Sequence, residues 1–545
     1  EITPNTTVSD IEMELLDVKR QEILRDMGRR GVHVAPEHLE ETTERRRLEQ
    51  SENSGTIQPR LVDSLVLTIA ELSAGPVLLG PETTVYLPDM WLSDALFFRL
   101  LEKTKVVLGG TVSLFKHLGR KKCIREGMDV EYEEEVRLSP AIKNNTLFRE
   151  NVAGLPDKSI YLWGVKSLTL KDHTVNLLPK LKLHEDNETE ELWLDAELRE
   201  HVSSILGAKD SSIWLGKVRK LRLERHAINL LPKLKLHEDN ETEELWLDAE
   251  LGEHVSSILT AKDSSIWLGR VKSLQLYQHA VNTLPKLKLH EDNVMDVCLS
   301  AWDREYVSEI LVKKDNSIWL GKVKSLTLKG HAVNLLPKLK LHEDSEIEEL
   351  YLYAWQREYV SEILVKKDNS IWLGKVKSLT LKGNAVNLLP KLKLHEDSEI
   401  EKFYLDTESG GDVSFILWAK DSSIWLGKVK KSLKLYGYAA STLPKLKLHE
   451  DNETEELWLD AKKEECVSSI LSAGDRSIWL GRVKSLRLEF YAISILPKLR
   501  LHEDNVMDSL EIVNVSRDML QKGFFSNTIE LARSALEVLF PSKTG

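Results

Sequence analysis

The chemically richest residues of this chain recur together. His184-Glu185-Asp186 places an imidazole and two carboxylates in a row, donor types that a divalent metal or an acid–base pair would use. The triplet returns at His237, His290, His342, His395, His449 and His502. If the copies stack, equivalent triplets lie two strands apart, about 10 Å. Metal–ligand bonds are about 2–2.5 Å, so one ion cannot bridge two copies. Three consecutive side chains also diverge along the chain. The triplet reads as a solvated turn, with no metal assigned.

Other reactive types give no catalytic constellation. Cys123, Cys298 and Cys466 are far apart and odd in number, which excludes a disulfide framework and a CxxC zinc site. There is no GxSxG, HExxH or glycine-rich phosphate loop. The expectation is a non-enzymatic chain without a cofactor. Lys180 and Lys182 recur along the array, and like charges about 10 Å apart are tolerable near one Debye length in 0.1 M salt. They read as a solvated face, with an electrostatic docking stripe as the alternative. Asn-x-Ser/Thr occurs at Asn5, Asn144, Asn187, Asn240, Asn452 and Asn514, three of them copies of one Asn-Glu-Thr.

These residues are positioned by a repeat of about 53 residues. Leu-Pro-Lys-Leu-Lys-Leu-His-Glu-Asp begins at Leu178, Leu231, Leu284, Leu336, Leu389 and Leu443, with a Lys→Arg version from Leu496. Ser-Ile-Trp-Leu-Gly begins at Ser212, Ser265, Ser317, Ser370, Ser423 and Ser477. Each repeat splits into two coils. The short one starts at Leu168-x-Leu170, passes His173, Val175 and Leu178-Pro179, and ends at Leu183. The long one starts at Leu192-x-Leu194, carries Val202, Ile205 and Leu206 at helical spacing, and reaches Leu215, Val218 and Leu221.

The short coil resembles the leucine-rich repeat, and the long one resembles the ribonuclease-inhibitor type. That resemblance implies an α/β solenoid, a horseshoe or arc with a parallel concave sheet. It implies one strand per coil, 14 strands between Leu168 and Ile512, and coil lengths alternating between 24 and 29. Stacked coils close a core that none could form alone. The family's backbone-bonding Asn has its counterpart at His173, His226, His279, His331, Asn384, Tyr438 and Tyr491, so only Asn384 keeps the pattern. A competing reading makes Leu-Lys-Leu a third strand per repeat, although its short connections are tight for parallel pairing.

Side chains alternate along a strand, so the middle residue of each Leu-x-Leu points outward. In the long coil these are Trp193, Trp246, Cys298, Tyr351, Tyr404 and Trp458, then Glu511. In the short coil they are Thr169, Arg222, Gln275, Thr327, Thr380, Lys434 and Arg487. In the short coil the flanking leucines stay while this position varies, as on a fixed scaffold with a changing surface. The candidate partner-binding residues are Trp193, Trp246, Tyr351, Tyr404, Trp458, Arg222, Gln275, Lys434 and Arg487. Cross-strand stabilisation is the rival role. The recurring Trp214, Trp267, Trp319, Trp372, Trp425 and Trp479 read as a packing column beside the convex helix.

Four regions are expected: 1–60, a charged helical and flexible segment with a helix over Ser9–Arg29; 61–158, degenerate coils at Leu65, Val85, Val112 and Val136; 159–513, the regular double repeats; and 514–545, a helical cap with a helix over Thr528–Leu539. The net charge of −12 is spread thinly, which argues against nucleic acid. No apolar run approaches the ~18–20 residues of a membrane helix. A protein ligand on the concave face and a cytoplasmic location are expected. The sequons leave a surface or secreted location open. Since the chain starts at Glu1, it could also be an arm of a larger receptor-like protein. A GTPase-activating leucine-rich-repeat protein and a purely structural or surface-displayed array are the alternative functions.

Overall fold

The computed structural model describes residues 14–15, 60–67, 75–87, 90–108, 112–115, 124–125, 135–138, 151–162, 165–183, 187–342 and 345–514. The chain divides into two compact units, 1–270 and 271–545. Each contains parallel strands joined by short helical turns, an α/β repeat architecture consistent with a solenoid.

One repeat shows how the sequence builds the coil. Ile213–Arg225 is a 13-residue strand with alternating burial. His226–Lys233 is a 3-10 helix that buries Ala227, Ile228, Leu230 and Leu231. Pro232 lacks an N–H and closes that helix, and the chain leaves it as the three-residue strand Leu234–Leu236. Glu241–Ala249 is the next long strand. A 3-10 turn at Gly252–Val255 and one α-helical turn at Ser256–Leu259 complete the repeat. The expected helical face is present in the first repeat, with Val202 and Ile205 fully buried, but the helix is a single turn.

The Leu-x-Leu strands form a parallel ladder in each unit. Leu168 pairs with Leu192 and Leu192 with Leu221, which are offsets of 24 and 29 residues. In the second unit Leu326 pairs with Leu350 and Leu350 with Leu379, the same alternation. Among the described residues, fourteen such strands lie between Ser167 and Val513, the expected number.

One strand per coil is nevertheless too few. Leu181–Leu183 is a strand, and its copies recur at Leu234, Leu287, Leu339, Leu392, Leu446 and Leu499. It does not join the Leu-x-Leu ladder. Leu181–Leu183 pairs with Ile160–Leu162, and Leu234–Leu236 pairs with Ile213–Gly216. The 13-residue strand therefore serves two ladders: its first residues meet Leu-Lys-Leu, and the rest carries Leu-x-Leu. The switch falls at the glycine of Trp-Leu-Gly. Gly216 has φ +69°, where a side chain is strained, and a Cβ there would lie 3.1 Å from Asn187 O.

Where asparagine stands at the family position it bonds to backbone, Asn384 Nδ2 donating to Trp355 O at 3.2 Å; elsewhere the ladder is displaced. His173 and His226 stack edge-on against His201 and His254, with ring centroids 4.3 and 4.7 Å apart. Backbone bonding falls to other asparagines. Asn229 Oδ1 accepts from the N–H groups of Ser257 and Ile258 at 2.8 and 3.1 Å, capping the one-turn helix of the next coil. Asn240 Oδ1 accepts from Val218 N–H at 2.7 Å, and its Nδ2 donates to Val218 O at 3.2 Å. Asn452 receives Val429 N–H at 2.8 Å.

Before the regular repeats, Glu135–Leu138 pairs in register with Ser167–Leu170, as the Val136 signature suggested. Val112–Phe115 pairs with Met90–Ser93. Helix Asp94–Lys103 starts at Ser93, whose hydroxyl accepts from Leu96 N–H at 3.2 Å. Glu14–Leu15, inside the expected helix Ser9–Arg29, is a strand antiparallel to Gly75–Pro76. The remainder of that helix and the C-terminal cap lie outside the described residues.

Candidate functional site

All nine candidate residues sit where alternation places them, at the outward position of the Leu-x-Leu ladder. Trp193 is in register with Thr169 and Arg222, and Arg222 with Trp246. In the second unit Tyr351 faces Thr327 and Thr380, and Tyr404 faces Thr380 and Lys434. Trp458 faces Lys434 and Arg487. Gln275 is in register with Cys298.

The aromatic side chains are half-buried rather than freely exposed, and cations of this same chain cover the rings of Trp193, Trp246, Tyr404 and Trp458. Lys171 Nζ lies 3.8 Å from the Trp193 ring centre, and the Arg222 guanidinium 4.6 Å from it. Arg487 and Lys434 lie 4.4 and 4.8 Å from the Trp458 ring centre. Such contacts contribute about 0.5–1 kcal/mol each at exposed sites. The indole N–H groups of Trp193 and Trp458 are sequestered without a hydrogen-bond partner. These residues thus stabilise the strands as well as forming the surface.

A second outward column, two residues further on, was missed from sequence. Its signal is the same alternation: Lys171, Asp195, Glu224 and Asp248 in one unit, and Tyr353, Lys382, Asp406, Tyr436, Asp460 and Glu489 in the other. Tyr436 bridges the two columns. Its ring lies 5.1 Å from Tyr404 and 5.0 Å from Trp458. Burial raises the pKa of Asp248, and the nearby Glu224 and Glu250 add to it. Burial also raises Asp460, with Glu489 and Asp406 adding and Lys462 opposing. The Cys298 thiol is pushed up by burial too, which makes it a poor nucleophile. Tyr404 and Tyr436 are raised for the same first reason.

The other tryptophan series is packed only in part: Trp214, Trp425 and Trp479 are half-buried, and the rest are exposed. Trp267, Trp319 and Trp372 are 44%, 41% and 47% exposed. They lie on the first residues of the 13-residue strand, whose ladder is short and leaves the ring uncovered on one side. Each ring meets the repeat's own furniture: Trp319 stacks edge-on to His342 at 5.7 Å and receives Lys340 at 5.6 Å. Trp372 also borders a cleft of about 250 Å³ lined by Asp315, Leu336, Pro337, Lys366 and Ile371.

Among the described residues, two groups could hold a metal: His173, Glu200 and His201, and His226, Glu253 and His254, with ligand atoms within 4.8 Å of one another. Packing explains them. Nδ1 of His201 and of His254 accepts a backbone N–H from Leu198 and Leu251, at 3.2 and 3.3 Å. The same edge-on stack recurs as His279–Tyr306 and His331–Tyr359, where tyrosine offers no ligand nitrogen.

No helix among the described residues is long and apolar enough to cross a membrane. No protein-family model, curated protein or solved structure matches the chain.

Proposed function

We propose that this chain is a leucine-rich-repeat scaffold of alternating short and long coils. It binds a protein partner across the outward face of the Leu-x-Leu ladder and has no catalytic role. One contrast carries the reading. In the short coil the paired leucines are constant and buried, whereas the in-register residues between them vary among Thr, Arg, Gln and Lys, and five of the seven long-coil counterparts are Trp or Tyr. Aromatic and arginine side chains dominate interface energies because they bury much area for few frozen torsions. Their partial packing in the free chain lowers the ordering cost of binding.

The exposure of Trp267, Trp319 and Trp372 supports a second reading, in which the partner docks on the Leu-Lys-Leu side. One experiment separates the two. The full chain is used as bait, and the captured partner is titrated against Tyr351→Ala/Tyr404→Ala and against Trp319→Ala/Trp372→Ala. The first pair should weaken binding by about 2–4 kcal/mol with the circular-dichroism spectrum unchanged. The second should lower the melting temperature more than the affinity. The reverse pattern would assign binding to the tryptophan side.

A further inference from the structure

The second outward column contains the same aspartate in two different states. Asp195 is 5% exposed, and both its oxygens are engaged by one guanidinium. Arg225 Nε donates to Oδ1 at 2.8 Å, and Arg225 Nη2 donates to Oδ2 at 2.6 Å. This is the two-pronged fork that arginine makes with a carboxylate. The register behind it pairs Asp195 with Glu224 and Ala196 with Arg225.

Asp460 occupies the same place with the same frame. It pairs with Glu489, and Ala461 pairs with Phe490. Phe490 has the backbone conformation of Arg225, φ 54° at each. Its ring packs with Tyr491 against Ile493 and carries no charge. The guanidinium is therefore missing. Asp460 is only 6% exposed, and its Oδ1 is buried without a hydrogen bond. Glu489 cannot supply a donor. It accepts from Arg487 and Asn514 at 2.7 and 3.0 Å. A buried unbonded carboxylate oxygen is costly, and the first repeat shows how this backbone satisfies one.

We propose that Asp460 receives an arginine side chain of the partner, which makes from outside the forked bond that Arg225 makes from within. This deepens the reading of the outward face as a protein-binding surface and rests on it. Cations already accumulate here, since Arg487 and Lys434 both lie over Trp458. A planar, weakly hydrated guanidinium suits a buried carboxylate better than an ammonium does.

The test uses the full chain and three blocked tripeptides, Gly-Arg-Gly, Gly-Lys-Gly and Gly-citrulline-Gly, followed by tryptophan fluorescence and by nuclear magnetic resonance titration. The arginine peptide should bind best. Citrulline keeps the shape without the charge and should bind at least about tenfold more weakly. Asp460→Asn should weaken the arginine peptide by at least about tenfold. Phe490→Arg should do the same by filling the site from within, and should raise the melting temperature. If Phe490→Arg does not fold, Asp460→Asn, which preserves side-chain shape, decides alone. Equal binding of the three peptides, or unchanged binding in Asp460→Asn, overturns the proposal. Partner capture separates this from the broader reading. Loss of capture in Tyr351→Ala/Tyr404→Ala but not in Asp460→Asn leaves the face as the binding surface and removes the arginine site. Arginine binding that persists while capture ignores the tyrosines removes the broader reading instead.

Discussion

Leu326 and Thr327 are chain neighbours with opposite environments. Leu326 is fully buried, and Thr327 is half-buried on the outward face. Leu326→Ala should cost about 2–5 kcal/mol through lost burial and a cavity. Thr327→Ala should change stability by less than about 0.5 kcal/mol. Urea denaturation of both variants checks this, and equal losses would mean that the alternation is misplaced. Asp460 gives a pH test with a definite sign. Burial holds its folded pKa above the unfolded value, so the ionised form is the destabilised one. The penalty is absent below the ordinary carboxylate pKa of about 4 and grows as pH rises through the folded value. Asp460→Asn should therefore raise the melting temperature at neutral pH and do little near pH 3.5. An equal gain at both would place the effect outside ionisation. Alternation made the direction of each of these side chains legible in the sequence. Their surroundings were not, because what covers Trp458 or bypasses Asp460 is a residue some 24 to 30 positions away.

At the scale of the element, Leu-x-Leu pairing followed from the sequence because a two-residue period and a fixed offset leave one register that buries every leucine. The Leu-Lys-Leu segment was harder. Three residues carry too little pattern to reveal their partner. The stretch they pair with, Ile-Trp-Leu-Gly, is also the start of another strand. Histidine stands at the family's asparagine position in this repeat, and Asn229 and Asn240, three and fourteen residues further on, do the bonding. The glycine between the ladders is tightly constrained. Gly427 has φ +77°, and a Cβ there would sit 2.3 Å from Ser398 O. Gly427→Ala should cost about 1–3 kcal/mol by strain alone. Both ladders run through this strand. Hydrogen exchange should therefore speed up on either side of residue 427, not on one side only.

Across the molecule, the coil-to-coil hydrogen bonds of the repeats link residues roughly one coil apart, as Val218 to Asn240 and Asn334 to Glu358 do. Stability is then close to a sum of coil and interface terms. The loss in Leu326→Ala should loosen amides in its own and adjoining coils and leave coils several repeats away protected. The repeat and its two-coil division were legible because duplication wrote the same pattern many times. The outward face was legible only as positions. Whether an aromatic there is open or clasped by a cation depends on which residues duplication set beside it.

The asparagines that tie coil to coil also open acceptor sequons for sugar transfer. Asn187, Asn240 and Asn452 each open an Asn-Glu-Thr, and in the folded chain they are 5%, 2% and 0% exposed. Their amide nitrogens are engaged, that of Asn240 with Val218 O and Thr242 Oγ1. A chain threaded into a secretory lumen would meet the transferase before its coils closed. Maturation would become a race, since a glycan on Asn240 cannot be seated where its amide belongs. Expression through a secretory host should give two populations, a folded one bare at these three asparagines and a glycosylated one that is protease-sensitive. Mass spectrometry of the protease-resistant fraction would show which won, and sugar on Asn240 in that fraction would mean that the ladder forms without it.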